Sequence, residues 1–413
     1  MSFWGELERY VRLVLAHIPF FVPLGAIGLW RWSMWLAKRV PALAYRPIKN
    51  DFDCSASLVT AVFREDPVLF RRALMSWIAN GPDRIIAVID ITDKACLEVA
   101  AEFAEVEIIC DGTPGKRPKL VKGVDVVNTD IVVLVDSDVI WEADVLQKLK
   151  MPFVDPKMGG VSARPFMYPT NGDSPTVWER LADFYLDSRY STEVAATTRW
   201  GKAVSCLSGR TTAYRTELLQ SLREPFLNET FNGKACISGD DKRYTMLVLQ
   251  RGYKTWHQLN AKIYSTFKPN FRGFVQQRLR WARNSFRSDF RALGEGWIWR
   301  HPYLAATIVD KQLSLFTQFN SPAFFLLAGA SGHWRSALFI VAWWHVSRAI
   351  KVSSHLILRP SECVLLPVFI GITFMSALIR IYALFTLNQQ GWLTRPVGME
   401  KGEVVRLPAG GEI

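Results

Sequence analysis

The sequence predicts an α/β domain on an open, mostly parallel sheet, flanked by apolar membrane segments. Three observations lead there. Between residues 57 and 136, short β-branched runs alternate with amphipathic stretches. Acidic residues fall where several of those runs end. The two ends of the 413-residue chain are far more apolar than its middle, in a composition that is 49% hydrophobic.

The runs SLVTAVF (57–63), RIIAVID (84–90), VEIIC (106–110) and DIVVLVD (130–136) read as strands. Continuous apolar strands separated by helices imply a parallel sheet covered on both faces. PVLFRRALMSWIA (67–79) reads as a helix, with Pro67 at its permitted start and Leu69, Ala73 and Trp77 on one stripe. Asp93 is placed to cap the next helix. In such sheets ligands bind at the carboxyl ends of the strands, which is where Asp90, Asp111 and Asp136 lie.

The flanks read differently. Residues 11–30 (VRLVLAHIPFFVPLGAIGLW) are long enough to cross a bilayer, which takes about 20 apolar residues. They lack the short basic leader and small-residue cleavage site of a signal peptide, so a retained anchor is expected. Arg31, Lys38, Arg39, Arg46 and Lys49 follow it, against Arg9 and Arg12 before, and this asymmetry places the next domain in the cytoplasm. Residues 313–330, 336–350 and 363–385 are further apolar segments, each a candidate span or interfacial helix. The first carries Gln318, Asn320 and Pro322, which suit a helix facing protein or water rather than lipid. The expected division is an anchor over 1–50, a cytosolic catalytic domain over 51–298, membrane helices over 299–390 and a tail over 391–413, with 400–413 disordered.

The formal net charge of +12 suits nucleic acid, an anionic membrane surface or a phosphate-bearing substrate. The apolar ends favour the membrane, and no nucleic-acid partner is expected. The six cysteines form no CxxC pair and no zinc spacing, so they read as scattered reduced thiols.

Three short motifs carry chemistry. Asp136-Ser137-Asp138 ends the strongest strand. Carboxylates two apart in extended chain point to one side and suit a hard divalent cation on a diphosphate. By itself the pattern equally suits a turn. Ser238-Gly239-Asp240-Asp241 precedes a helical run: Asp240 is placed to cap the helix, and Asp241 to deprotonate a sugar hydroxyl. Gln277, Arg280 and Trp281 stand at i, i+3 and i+4 of a long basic helix and share a face. Arg280 suits a phosphate and Trp281 a sugar ring. An interfacial helix with snorkelling arginines is the plainer reading of the same stretch.

These motifs, in this order, resemble the processive family 2 glycosyltransferases: hyaluronan, chitin and cellulose synthases and the rhizobial chitooligosaccharide synthase. Asp136-Ser137-Asp138 resembles the family's metal-binding DxD, Asp240-Asp241 its base motif, and Gln277–Trp281 its QxxRW box. VTAVFRED (59–66), GKRPKL (115–120), SCLSGRTTAYR (205–215) and QGWLTR (390–395) extend the likeness from about residue 55 to 395. The chain departs from the family at Arg64, where Asn is usual, at Arg210, where hyaluronan synthases have Pro, and at Leu393, where Gly is usual. The departures bear on which sugars are used.

The resemblance implies a GT-A type nucleotide-sugar-binding domain and an inverting, UDP-sugar-dependent hexosyltransferase. It implies Mg²⁺ or Mn²⁺ held by Asp136 and Asp138, with Asp241 as base beside Asp240. It also implies nucleotide-sugar contacts from Phe63, Glu65, Asp90, Lys116, Arg117, Asp136, Gln277 and Arg280. Ser208, Gly209 and Trp281 would meet the acceptor. The implied partners are a UDP-sugar, a growing glycan and the bilayer of a multi-pass membrane protein, with a monomer as the simplest assembly. A non-processive enzyme adding single sugars to a lipid or short glycan is the alternative.

Overall fold

A computed structural model describes residues 25–170, 174–391, 397–400 and 403–406, together with scattered positions between 5 and 23. A helix α1 (Ala26–Leu43) leads into the sheet domain. There β1 (Ala56–Val62), α2 (Pro67–Ile78), β2 (Arg84–Asp90), α3 (Lys94–Ala101), β3 (Val106–Asp111), α4 (Lys116–Asp125) and β4 (Ile131–Asp136) alternate. The β5 (Val139–Trp141), β6 (Met158–Met167), α5 (Val177–Arg189), β7 (Thr211–Arg215), α6 (Asp240–Gln250), β8 (Lys254–Ser265) and α7 (Phe271–Gly294) elements complete it. Four helices follow, α8 (Pro302–Thr317), α9 (Asn320–Ala330), α10 (Trp334–Lys351) and α11 (Leu366–Phe385), then a hairpin of β9 (Val397–Glu400) and β10 (Glu403–Arg406).

All four expected strands form. The eight-stranded sheet runs β3-β2-β1-β4-β7-β6-β8-β5. Its β3-β2-β1-β4 half is parallel, and β7 enters antiparallel to both β4 and β6. Both faces are covered, as the continuous apolar runs require. One core packs Leu58, Val62 and Ile85 against Phe70, Leu74 and Trp77 of α2 and Val99 of α3. The other packs Val59, Ile86 and Val88 against Leu120 and Val124 of α4 and Leu247 of α6. The buried stripe of α2 is Phe70, Ala73, Leu74 and Trp77, so Leu69 sits at its margin. Asp66 and Asp93 cap α2 and α3, accepting from Leu69 N and Cys96 N respectively. All six cysteines are free thiols.

The membrane expectations are met in part. The 11–30 anchor lies partly outside the described residues, and its last positions belong to α1. Segment 313–330 is broken between α8 and α9 at Gln318 and Phe319, and the 11 residues of α9 span only about 16 Å. Segment 336–350 lies in α10, which also carries Arg335, Arg348 and Lys351. Among the described residues, one helix is long and apolar enough to cross a membrane, Pro360–Phe385. Both its ends are tied to the sheet domain. Phe369 packs on Phe184 of α5 at 4.3 Å between ring centroids, and Arg283 of α7 donates to Thr386 Oγ1. The helix therefore lies along the domain rather than projecting from it. The tail also differs from expectation: part of it folds into the β9–β10 hairpin. Of QGWLTR, residues 392–395 lie outside the described residues.

Candidate active site

Four strand ends, two helix starts and one helix face meet at a single cavity of about 550 Å³. Phe63 and Glu65 follow β1, Asp90 ends β2, Lys116 opens α4, and Asp136 and Asp138 flank the turn after β4. Ser208 and Gly209 precede β7, Asp240 and Asp241 open α6, and Gln277, Arg280 and Trp281 come from α7. Every one of these sequence-derived positions lines the cavity.

Arg117 does not. It is buried beneath α4, where it pairs with Glu229 at 2.5 Å and donates to the carbonyls of Phe226 and Ser238. Its partner in the cavity is instead Lys119, which faces Asp90 at 3.1 Å and Asp111 at 3.7 Å. The spacing contained this signal: Lys116 and Lys119 are three apart on a helix and share a face, whereas Arg117 turns about 100° away.

The carboxylates are held apart by named contacts. Lys116 Nζ lies 2.5 Å from Asp136 and 2.8 Å from Asp240, tying the first motif to the second. Burial opposes the charge of Asp240, but Lys116 outweighs it and holds the carboxyl below its usual range. Asp240 does not cap α6. The cap position is Gly239 at φ +81, where an added Cβ would also meet Asn284 at 3.0 Å. Asp241 is pushed the other way, upward, by burial and then by the charge of Asp240. Its carboxylate accepts from Lys242 N at 2.7 Å and Gly209 N at 3.4 Å. Gly209 permits that approach, since a Cβ there would stand 3.2 Å from the Cβ of Asp241.

The first motif forms an acidic nest. Glu65 accepts from Ser137 Oγ at 2.8 Å, and Asp138 accepts from Thr266 Oγ1 at 2.8 Å. Burial, then Glu65 and Asp136, push the Asp138 carboxyl up to about 6. Carboxylates that repel one another in this way are relieved by a cation. Among the described residues no cluster of three or more protein ligands stands ready for a metal. Two carboxylates completed by substrate phosphates is the donor set that Mg²⁺ usually takes, so the residues fit such an ion.

Further positively charged residues join those the motifs implied, among them Arg406, Lys119 and Arg210, the last noted in the sequence only as a departure from the family pattern. Arg406 arrives from β10, donating to Asp90 Oδ2 at 2.8 Å and to the carbonyl of Gly112. Arg210 stacks over Phe267 and Trp281 and donates to Ser265 Oγ at 2.6 Å. Arg64 has φ +50, a left-handed conformation that Asn adopts more readily than most residues. The backbone there explains why Asn is usual in the family the motif resembles.

A second cavity, of about 470 Å³, opens behind the first and shares Ser208, Arg210, Asp241, Trp281 and Asn284 with it. Its walls include the helical turns after α5, where π-type windings at Tyr190–Val194 present Glu193, and the inner face of α11.

Comparison with known proteins is decisive at this point. The family model described as glycosyltransferase like family 2 matches residues 55–284. The chain belongs to glycosyltransferase family 2. A type 2 glycosyltransferase of Pyricularia oryzae is 27% identical over 412 residues, covering 95% of this chain and 81% of that protein. An N-acetylglucosaminyltransferase of Rhizobium meliloti is 29% identical over 371 residues, covering 86% and 84%. A solved mannosyltransferase from Pyrobaculum calidifontis, in complex with GDP-Man and Mn²⁺, superposes with a TM-score of 0.59 at 19% identity. It covers 92% of this chain and 98% of that one. The family 2 domain thus has a GT-A-like α/β fold with a mostly parallel sheet.

Proposed function

We propose that this family 2 enzyme is a membrane-associated, inverting glycosyltransferase that extends a glycan from UDP-sugar donors. The observation that carries the reading is the first cavity, which gathers three motifs spread over almost 150 residues. The 51–298 domain performs the transfer, and the apolar faces of the 299–390 helices hold it at the bilayer.

Phe63, Glu65, Asp90 and Lys116 line the end of the cavity assigned to the nucleotide, and Gln277 and Arg280 the diphosphate. Asp136 and Asp138 would hold Mg²⁺ or Mn²⁺, which when bound neutralises the diphosphate; the Mn²⁺ of the Pyrobaculum calidifontis mannosyltransferase supports this. Asp241 takes the proton of the acceptor hydroxyl. The oxygen attacks the anomeric carbon opposite the diphosphate, a glycosidic bond forms, the bond to phosphate breaks, and UDP leaves. Burial lowers the pKa of Arg280, while Asp240, Asp241 and Asp136 support its charge. A desolvated guanidinium so placed stabilises the charge that develops on the leaving group. Trp281 and Ser208 line both cavities and Gly209 the first, which suits them to seat the acceptor.

A second reading, transfer of single sugars to a lipid or short acceptor, draws on one observation. Among the described residues one helix suits a membrane crossing, and a translocation channel needs several. Product size separates the two. Membranes carrying the enzyme are given each UDP-sugar, alone and in pairs, with Mg²⁺ or Mn²⁺. A ladder or high-mass polymer supports extension, single-sugar products support the second reading, and no incorporation from any UDP-sugar contradicts both.

A further inference from the structure

The second cavity is strongly cationic. Nine basic side chains line it, against the carboxylates of Glu193 and Asp241 alone. Some of the nine have acidic partners: Lys38 pairs with Asp310, Lys242 and Lys311 with Asp289, and the charge of Glu193 supports Arg189. Five do not. Arg210, Arg278, Arg348, Lys351 and Arg380 have no carboxylate within ion-pair distance among the described residues. Four of them rest instead on rings and neutral oxygens. Arg278 lies over Tyr185 at 3.7 Å, Lys351 over Trp32 at 4.7 Å, and Arg380 donates to Ser314 Oγ at 3.1 Å.

Cations at a membrane surface ordinarily turn outward to headgroups. Here the five come from four directions and converge. Arg210 stands at the junction with the first cavity, Arg278 on α7, Arg348 and Lys351 three apart on one face of α10, and Arg380 on α11. Arg278 is 7% exposed, and its Nε has no hydrogen-bond partner. Gathering like charges away from water without counter-ions is unfavourable, and an anion in the cavity removes the penalty.

We propose that the acceptor bound in this cavity carries a negative charge, a phosphate or a carboxylate, set back from the hydroxyl that reacts. The proposal rests on the reading that Asp241 faces the acceptor. It adds the chemical class of that acceptor and gives Arg210, which stands where the hyaluronan-synthase pattern has proline, a function. A phosphate attached to a lipid and a carboxylate on a uronate-bearing glycan present the same chemistry to these side chains.

Paired probes test it on the full chain in lipid nanodiscs with UDP present. Farnesyl phosphate is compared with farnesol, and a glucuronate-containing tetrasaccharide with chitotetraose. At least one charged probe is expected to bind ten times or more tighter than its neutral twin, and which one does so identifies the source of the charge. Arg348→Gln and Lys351→Gln should each weaken that probe severalfold at unchanged Tm, Lys351→Arg should retain it, and added salt should weaken it. Neutral twins that bind as well as the charged probes, absence of binding by either charged probe, or charged binding indifferent to the variants and to salt overturns the proposal. Sugar transfer from UDP-sugars is a separate readout, so loss of the enzymatic reading and loss of this one are distinguishable.

Discussion

At Asp241 two backbone N–H groups and one buried neighbour of like charge pull in opposite directions, and the repulsion with burial prevails, raising its pKa. A base works only when ionised. Activity should therefore rise with pH through a limb centred above the ordinary aspartate value of about 3.9. Asp241→Asn should remove that limb and lower kcat by about 10²–10⁴-fold with Tm unchanged. Asp90 presents a different balance. Its carboxylate accepts from Thr92 N and Thr92 Oγ1 on one oxygen and faces Lys119 and Arg406 on the other. Four donors fill the lone-pair sites of a carboxylate. A nucleoside reaching Asp90 must displace one, and Arg406 is the one carried by the tail. Arg406→Ala should lower the KM for the donor and leave kcat unchanged; a higher KM would show that Arg406 helps to hold the donor. Asp136, Asp138, Asp241 and Trp281 were legible as short motifs because each chemistry demands a fixed residue type at a fixed spacing. The Arg406–Asp90 contact spans 316 residues, and no local pattern records it.

Strands were legible where both faces are buried, because β1, β2 and β4 are almost uninterrupted apolar runs. The β8 strand, KTWHQLNAKIYS, was not: it carries polar residues into the sheet domain, where Gln258 donates to the carbonyls of Ile48 and Lys148. Hydropathy alone also could not show the break between α8 and α9, although Gln318, Asn320 and Pro322 mark the place in the sequence. Beside the apolar packing of Leu304 and Ile308, a buried polar contact fixes α8. Asp289 of α7 is fully buried and accepts from Lys242 of α6 at 2.6 Å and Gln312 of α8 at 3.1 Å. Asp289→Ala would leave Lys242 buried and unpaired, so a loss of about 3–5 kcal/mol is expected in denaturant unfolding. Trp77 of α2 fills the opposite core with its Nε1 donating to the carbonyl of Val139, and Trp77→Ala should cost about 3–5 kcal/mol. A loss under 1 kcal/mol at either position would contradict the packing described.

Across the whole molecule, one helix serves both the proposed membrane contact and the proposed acceptor cavity. The α11 helix walls the second cavity with Phe369, Thr373 and Arg380 while exposing Val368, Leu378, Tyr382 and Phe385. Replacing Leu378 and Phe385 by Gln should reduce flotation with liposomes while leaving donor binding intact. The helix's position, tied at both ends to the sheet domain, was beyond reach of the sequence, which records length and hydropathy but not direction. The most direct test of the catalytic assignment compares wild type with Asp241→Asn in one preparation, measuring UDP-sugar binding and sugar incorporation with Mg²⁺ or Mn²⁺. Donor binding that survives while incorporation falls at least a hundredfold is the expected result. Equal incorporation by the two proteins would contradict it.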